Sequence, residues 1–352
     1  MSNFKSAVLA VVGALSSAAG YADSPSATQR FYEVRGAKLY TQTYGHGAPI
    51  VFLHGGMAFF DNSFAKQRDY FAAYRTVIGI DQRGHGHSPD GPWSLSYKMM
   101  ADDTAAIIEQ LGLGPVDVVG HSDGADLALI LARDYPQLVR RLVISGANLR
   151  SGLSAEEAQR RSHWTPGQVA EKVRALADSL PPWFRTDYEK VSPDGPDHWM
   201  KLMAKCYQMW IQPIVIEPAD LKKISIPVLV MAGDHDFTSI EENAEIYRGL
   251  PNGQLIVVPA SDHGTFKRRP NLVNLAIREF LDQPDSLSAT HDIFLTPLLA
   301  NLPSGASHCE KKLRKYWRSA SVNDLLSVLL PAIWSRWLSY WSQPAIAVAS
   351  HS

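Results

Sequence analysis

Short apolar runs recur along the chain, each followed by a stretch of helical period, and this alternation leaves few folds open. The runs are Pro49–Leu53, Thr76–Ile80, Val116–Val119, Arg141–Ser145, Ile226–Met231 and Gln254–Val258. They are largely continuous rather than alternating, so both faces of each strand must be buried, as in a parallel sheet covered by helices on both sides. Residues 97–111 place Met100, Ile107, Ile108 and Leu111 on one helical face, and further helices are expected over 123–135, 240–250 and 272–281. Phe31 to Tyr44 reads as a hairpin turning at Gly36. The expected fold class is α/β, a mostly parallel sheet with helices on both faces. The alternation breaks over residues 149–222, which are helical in composition and rich in Trp, Met and Pro. This segment is expected as a helical cap inserted over one edge, with residues 23–148 and 223–284 forming the core.

Composition narrows the function classes. The 352 residues are 45% hydrophobic and 20% charged, which excludes disordered, collagen-like and coiled-coil chains. Lys and Arg number 34 against 35 Asp and Glu, so no general basic field exists to hold a nucleic-acid backbone, and no nucleic-acid partner is expected. Two cysteines, Cys206 and Cys309, cannot build a disulfide framework or a four-thiolate zinc site. An oxidising compartment would permit one bridge between them, and two unpaired thiols is the preferred reading.

Both ends of the chain stand apart. Lys5, the apolar run Ala7–Leu15 and the small-x-small site Gly20-Tyr21-Ala22 have the layout of a secretory signal peptide over residues 1–22, so a periplasmic or secreted protein is expected. The apolar run is far short of the ~20 residues a membrane span needs. Residues 285–352 carry Trp317, Trp334, Trp337, Trp341 and the basic run Lys311, Lys312, Arg314, Lys315. Membrane contact through an interfacial helix is one reading of this extension. A poorly ordered atypical tail is the preferred one.

The chemistry gathers at the strand ends. Gly120-His121-Ser122-Asp123-Gly124 lies between an expected strand and an expected helix. A serine on such a sharp corner has its hydroxyl lifted clear of the backbone, and the strand and helix pass so closely that the flanking positions must be small. The helix N-terminus adds a positive partial charge beneath it. A serine needs a base, and the base needs an orienting group. His263, in Ser261-Asp262-His263-Gly264 after the last strand, is the expected base. Asp236, in Gly233-Asp234-His235-Asp236 after the preceding strand, is the expected orienting acid. Asp234, His235 and Asp262 are rivals by proximity, and Asp234 reads as structural. Asn148, after the earlier strand, has no carboxylate to offer, which favours Asp236. Gly56, in His54-Gly55-Gly56-Met57, and Asp123 are the expected oxyanion-hole amides, with Met57 as the substitute for Gly56. Asp81-Gln82-Arg83-Gly84-His85-Gly86-His87-Ser88 reads as a structural turn whose Asp81 and Arg83 tie neighbouring loops. A metal site at His85 and His87 lacks a third ligand at useful spacing, so no metal is expected.

Taken together, these motifs resemble the α/β-hydrolase superfamily over about residues 31–283, in the chain order Ser122, Asp236, His263. The resemblance implies an eight-stranded mostly parallel sheet, a helical cap and no required cofactor. A serine at 122 argues against the branches that place aspartate there. Trp164, Trp183, Phe184, Trp199, Met200, Met203, Met209 and Trp210 in the cap either form an apolar lid over a small-molecule substrate or fasten the cap to the sheet. The expected function is an exported serine hydrolase cleaving a carboxylic ester through an acyl-enzyme. The alternatives are an aminopeptidase or amidase of the proline iminopeptidase-like type, which needs cap carboxylates facing the substrate amine, and a non-catalytic binding protein. The sequence is silent on oligomeric state.

Overall fold

The computed structural model describes residues 27–150, 159–161, 163–212 and 216–284. The expectations for residues 1–22, Cys309 and residues 285–352 lie outside them.

Among the described residues, eight strands form one sheet in the order β1-β2-β4-β3-β5-β6-β7-β8. β1 (Thr28–Val34) and β2 (Ala37–Tyr44) are the expected hairpin, and β2 pairs antiparallel with β4 (Thr76–Ile80). Every other pairing is parallel, through β3 (Pro49–Leu53), β5 (Val116–His121), β6 (Val139–Ser145), β7 (Val228–Gly233) and β8 (Gly253–Val258). The mostly parallel eight-stranded sheet is therefore the one expected.

Continuous apolar strands feed two cores. On β3, Val51 and Leu53 join one cluster while Ile50 and Phe52 join the other. α1 (Phe60–Phe71) packs in the second cluster, where Phe60, Phe64 and Phe71 surround Phe52. Burying each such ring contributes roughly 1.5–3 kcal/mol. α2 (Tyr97–Leu111) and α3 (Asp123–Asp134) cover the first face through Ile107, Ile108, Leu127 and Ile130. α2 begins where Ser96 Oγ accepts the Met99 amide at 3.2 Å.

Between β6 and β7 the chain leaves the sheet for α4 (Pro166–Ser179), α5 (Pro182–Val191) and α6 (Trp199–Trp210). This insertion is fastened to the loop after β4. Asp90 takes hydrogen bonds from His198 Nε2 (2.9 Å) and Lys205 Nζ (2.7 Å), and Tyr188 donates to the Gly84 carbonyl at 3.3 Å. The insertion's large side chains divide their work. Trp199, Met203 and Met209 are buried in the first core, whereas Trp164 and Met200 border a separate groove between α4 and α6. Trp183 and Phe184 line the cavity described below.

α7 (Ile240–Gly249) follows β7 and packs on the first face. The short α8 (Thr265–Arg268) and α9 (Pro270–Leu281) follow β8 and pack on the second through Phe266, Val273 and Ile277. Both faces are thus covered.

Candidate active site

The parallel strands β3, β5, β6, β7 and β8 all end at one edge, and each delivers a piece of the site there. β5 ends at His121, and Ser122 turns into α3 with φ 55° and ψ −125°, a conformation that costs a non-glycine residue about 1–3 kcal/mol. The corner is held on both sides. The Ser122 amide donates to the Ser145 carbonyl at 2.9 Å, and the Ser122 carbonyl accepts the amides of Ala125 (2.7 Å) and Asp126 (3.1 Å). No carbonyl takes the Asp123 amide among the described residues.

His263 follows β8, and its Nδ1 donates to Asp236 Oδ1 at 2.8 Å. Asp236, after β7, also accepts the Thr238 amide at 3.0 Å. Burial pushes the Asp236 carboxyl up, but the hydrogen bond and charge of His263, with the Thr238 contacts, outweigh it and hold it below its ordinary value. With the proton placed on Nδ1 by this geometry, Nε2 is left as a base.

Ser122, His263, Gly55 and Gly56 line one cavity of about 780 Å³. Among the described residues no hydrogen bond is made by Ser122 Oγ or His263 Nε2, so both remain free for a substrate. Such contacts tighten when substrate arrives. Met57 is buried and does not line the cavity, whereas Gly55, Gly56 and Ala58 of the same loop do. His54 sets the loop: its Nδ1 donates to the Gly55 carbonyl (2.8 Å), and its Nε2 accepts the Gln82 amide (3.0 Å). Burial holds His54 neutral, below its ordinary pKa.

The rivals are engaged with other partners. Asp234 accepts the Ala260 and Ser261 amides, both at 2.9 Å, and pins the turn beside His235. Asp262 accepts the Gly264 amide and pairs with Arg268. The Asn148 amide donates to Asp126 Oδ1 at 2.7 Å.

The turn after β4 is tied rather than chelating. Asp81 accepts the amides of Phe60 and His87, and Arg83 pairs with Asp103 on α2 and donates to the Arg35 carbonyl. Arg83 therefore anchors a helix and the β1–β2 hairpin rather than loops alone. His85 donates through Nδ1 to the Arg83 carbonyl (2.9 Å), with Nε2 against the Cys206 thiol (3.5 Å). His87 Nδ1 meets Asp81 at 2.9 Å. Cys206 is a buried free thiol. Among the described residues no group of His, Cys, Asp or Glu is arranged to hold a metal ion.

Three supports were not visible in the motifs. His121 donates through Nε2 to the His263 carbonyl at 2.7 Å, with ring centroids 4.9 Å apart. Burial and the neighbouring His263 keep His121 neutral, well below its ordinary pKa. Gly146, after β6, has φ 66°, and a Cβ there would stand 2.7 Å from His263 Cε1. Trp210 at the end of α6 donates Nε1–H to Asp123 Oδ2 at 2.8 Å, and Tyr97 donates its hydroxyl to Oδ1 at 2.9 Å. Burial pushes the Asp123 carboxyl up while these two donors pull it back. The insertion is thereby tied directly to the residue after the candidate nucleophile.

Comparison with known proteins places this geometry. Residues 48–194 match the family model for the alpha/beta hydrolase fold, and residues 192–288 match that for a TAP-like protein. The chain is 30% identical over 251 residues to the sn-1-specific diacylglycerol lipase of Mus musculus, covering 66% of this chain and 80% of that protein. The chain belongs to the α/β-hydrolase superfamily. Other members resemble it over similar spans. The (E)-2-((N-methylformamido)methylene)succinate hydrolase of Acinetobacter baylyi is 26% identical, across 68% of this chain and 92% of its own. The esterase of Thermogutta terrifontis, solved with malate bound, is 25% identical with a TM-score of 0.56, covering 73% of this chain and 98% of that one. This α/β-hydrolase thus stands among esterases, lipases and other hydrolases.

Proposed function

We propose that the chain is a serine hydrolase cleaving a carboxylic ester of a small, partly apolar substrate through an acyl-enzyme. The observation that carries the reading is the strained Ser122 opening into the same cavity as a His263 imidazole already oriented by Asp236. Ser122 Oγ attacks the ester carbonyl while His263 Nε2 takes its proton. The oxyanion forms against the amides of Gly56 and Asp123, each such donor stabilising it by roughly 3–4 kcal/mol. His263 returns the proton to the leaving alcohol, and the ester C–O bond breaks. Water, deprotonated by His263, then releases the acid and restores Ser122. Asp236 keeps the imidazole in the accepting tautomer and balances the imidazolium. Trp183, Phe184, Phe237 and Phe266 around the cavity support an apolar portion of the substrate. The leader-like residues 1–22 support export to a periplasm or beyond.

A second reading, an aminopeptidase or amidase, is favoured by one observation: Asp187 on α5 is a carboxylate of the insertion lining the cavity. It is paired at 3.2 Å with Lys190, which leaves it a weaker site for a substrate amine. p-Nitrophenyl butyrate and aminoacyl p-nitroanilides separate the two. The ester is expected to be turned over at least about tenfold faster, as kcat/KM, than any anilide. The reverse order would establish the amidase reading. A chain that turned over neither and took no label from a fluorophosphonate would be the non-catalytic binding protein.

A further inference from the structure

Among the described residues, the charged side chains lining the cavity, Lys267 apart, have charged partners. Arg268 pairs with Asp262 at 2.9 Å, Asp187 pairs with Lys190, and His235 faces Asp234 at 2.9 Å. Lys267 also lines the cavity, and among the described residues its ammonium has no carboxylate within ion-pair distance and no hydrogen-bond acceptor. Its Nζ stands 3.4 Å from the centroid of the Trp183 ring, which fixes the ammonium across the gap between α8 and the insertion. Lys267 lies on the short α8, four residues after His263, and both line the cavity. Partial burial lowers its pKa, against the opposing pull of Asp187, so the ammonium gains by acquiring an anion. An ammonium lining a cavity, held against an aromatic ring and with no carboxylate at ion-pair distance among the described residues, is suited to a carboxylate.

We propose that Lys267 determines specificity by pairing with a carboxylate carried on the ester substrate, so that the substrate is an anionic ester with an apolar portion. This deepens the esterase reading and rests on it. The carboxylate belongs either to the acyl part, as in a dicarboxylic acid half-ester, or to the alcohol part.

The test compares three esters: p-nitrophenyl butyrate, mono-p-nitrophenyl succinate and 4-acetoxybenzoate. They are neutral, anionic in the acyl part and anionic in the alcohol part. The wild-type protein is expected to favour one anionic ester over the neutral one. Lys267→Met is expected to lower kcat/KM for that ester about tenfold, mainly through KM, with butyrate turnover held within about twofold. Lys267→Arg is expected to restore at least part of the preference. Equal losses on neutral and anionic esters would make Lys267 a strut for Trp183 and overturn the proposal, as would an unchanged preference in Lys267→Met. Calorimetric titration of the intact protein with succinate and with 4-hydroxybenzoate, which carry no ester bond, keeps the question separate from catalysis. Binding weakened about tenfold in Lys267→Met sustains the carboxylate site even if no ester is cleaved, and equal binding to both proteins overturns it.

Discussion

Asp236→Asn is expected to lower kcat by roughly 10³–10⁴-fold while leaving the fold intact. The Asp236 side chain is buried, and its Oδ1 accepts from both His263 Nδ1 and the Thr238 amide. An asparagine that keeps its oxygen on Thr238 keeps it on His263 Nδ1 too, as a neutral acceptor, and puts its NH₂ at the buried Oδ2 place, where no partner waits among the described residues. The flipped amide presents its NH₂ to Nδ1 instead, which demands an unprotonated Nδ1, moves the proton to Nε2 and removes the base that Ser122 requires. The negative charge beneath the developing imidazolium disappears as well. The shape is unchanged, so thermal unfolding should stay close to the wild-type curve. The pH dependence has a definite sign. The folded Asp236 pKa lies below its unfolded value, so its contribution to stability is present above about pH 4 and is lost as pH falls through the folded value. The acid limb of the kcat/KM profile therefore belongs to a group other than Asp236. Steady-state kinetics on p-nitrophenyl butyrate, with unfolding followed by circular dichroism, checks both parts. A loss of activity below about tenfold would contradict the assigned role.

The second large effect is on folding. Gly124 begins α3 where the helix passes the end of β3, and a Cβ added there would lie 2.0 Å from the Leu53 carbonyl oxygen, 2.5 Å from its carbon and 2.7 Å from the His54 oxygen. All three are backbone atoms, so no side chain can swing away. Relief requires shifting α3, which carries the Ser122 corner, or the end of β3, which carries Gly55 and Gly56. Gly124→Ala is expected to cost roughly 3 kcal/mol or more, or to prevent soluble accumulation. Gly167→Ala is the control. It lies in α4, where the nearest atom to a new Cβ is Thr165 Oγ1 at 3.8 Å. That change should leave stability unchanged or raise it by about 0.4–1 kcal/mol. Denaturant unfolding of the two variants decides, and equal stabilities would show that the corner has more room than its geometry implies.

The parts of the site legible in the sequence are those that depend on neighbours along the chain. Ser122 between two glycines, Gly56 after a strand, and Asp236 and His263 at the ends of the last two strands follow from strand ends meeting at one edge of a parallel sheet. The supports depend on contacts across the fold. Gly146 looks like an ordinary loop glycine until β6 places it against the His263 ring from β8. His121 occupies an unspecified position of the serine motif, and its role comes from the His263 carbonyl 142 residues later. Trp183 and Trp199 are both tryptophans of the insertion, yet one lines the cavity and the other is buried in the core, a division set by how the helices dock. α1 escaped the periodicity because its buried face includes Ser63 and Gln67, and because Phe64 departs from helical geometry with φ −126°. Gln67 Nε2 donates there to the Phe266 carbonyl and Asn274 Oδ1, partners that only the tertiary structure supplies.

The most direct trial is treatment of the intact protein with a fluorophosphonate, followed by intact mass and peptide mapping. A single adduct on the hydroxyl at position 122, absent from Ser122→Ala and formed far more slowly by His263→Ala, is the predicted result. An adduct on another residue, or a labelling rate indifferent to the imidazole, would mean that these side chains do not work together as a nucleophile and its base.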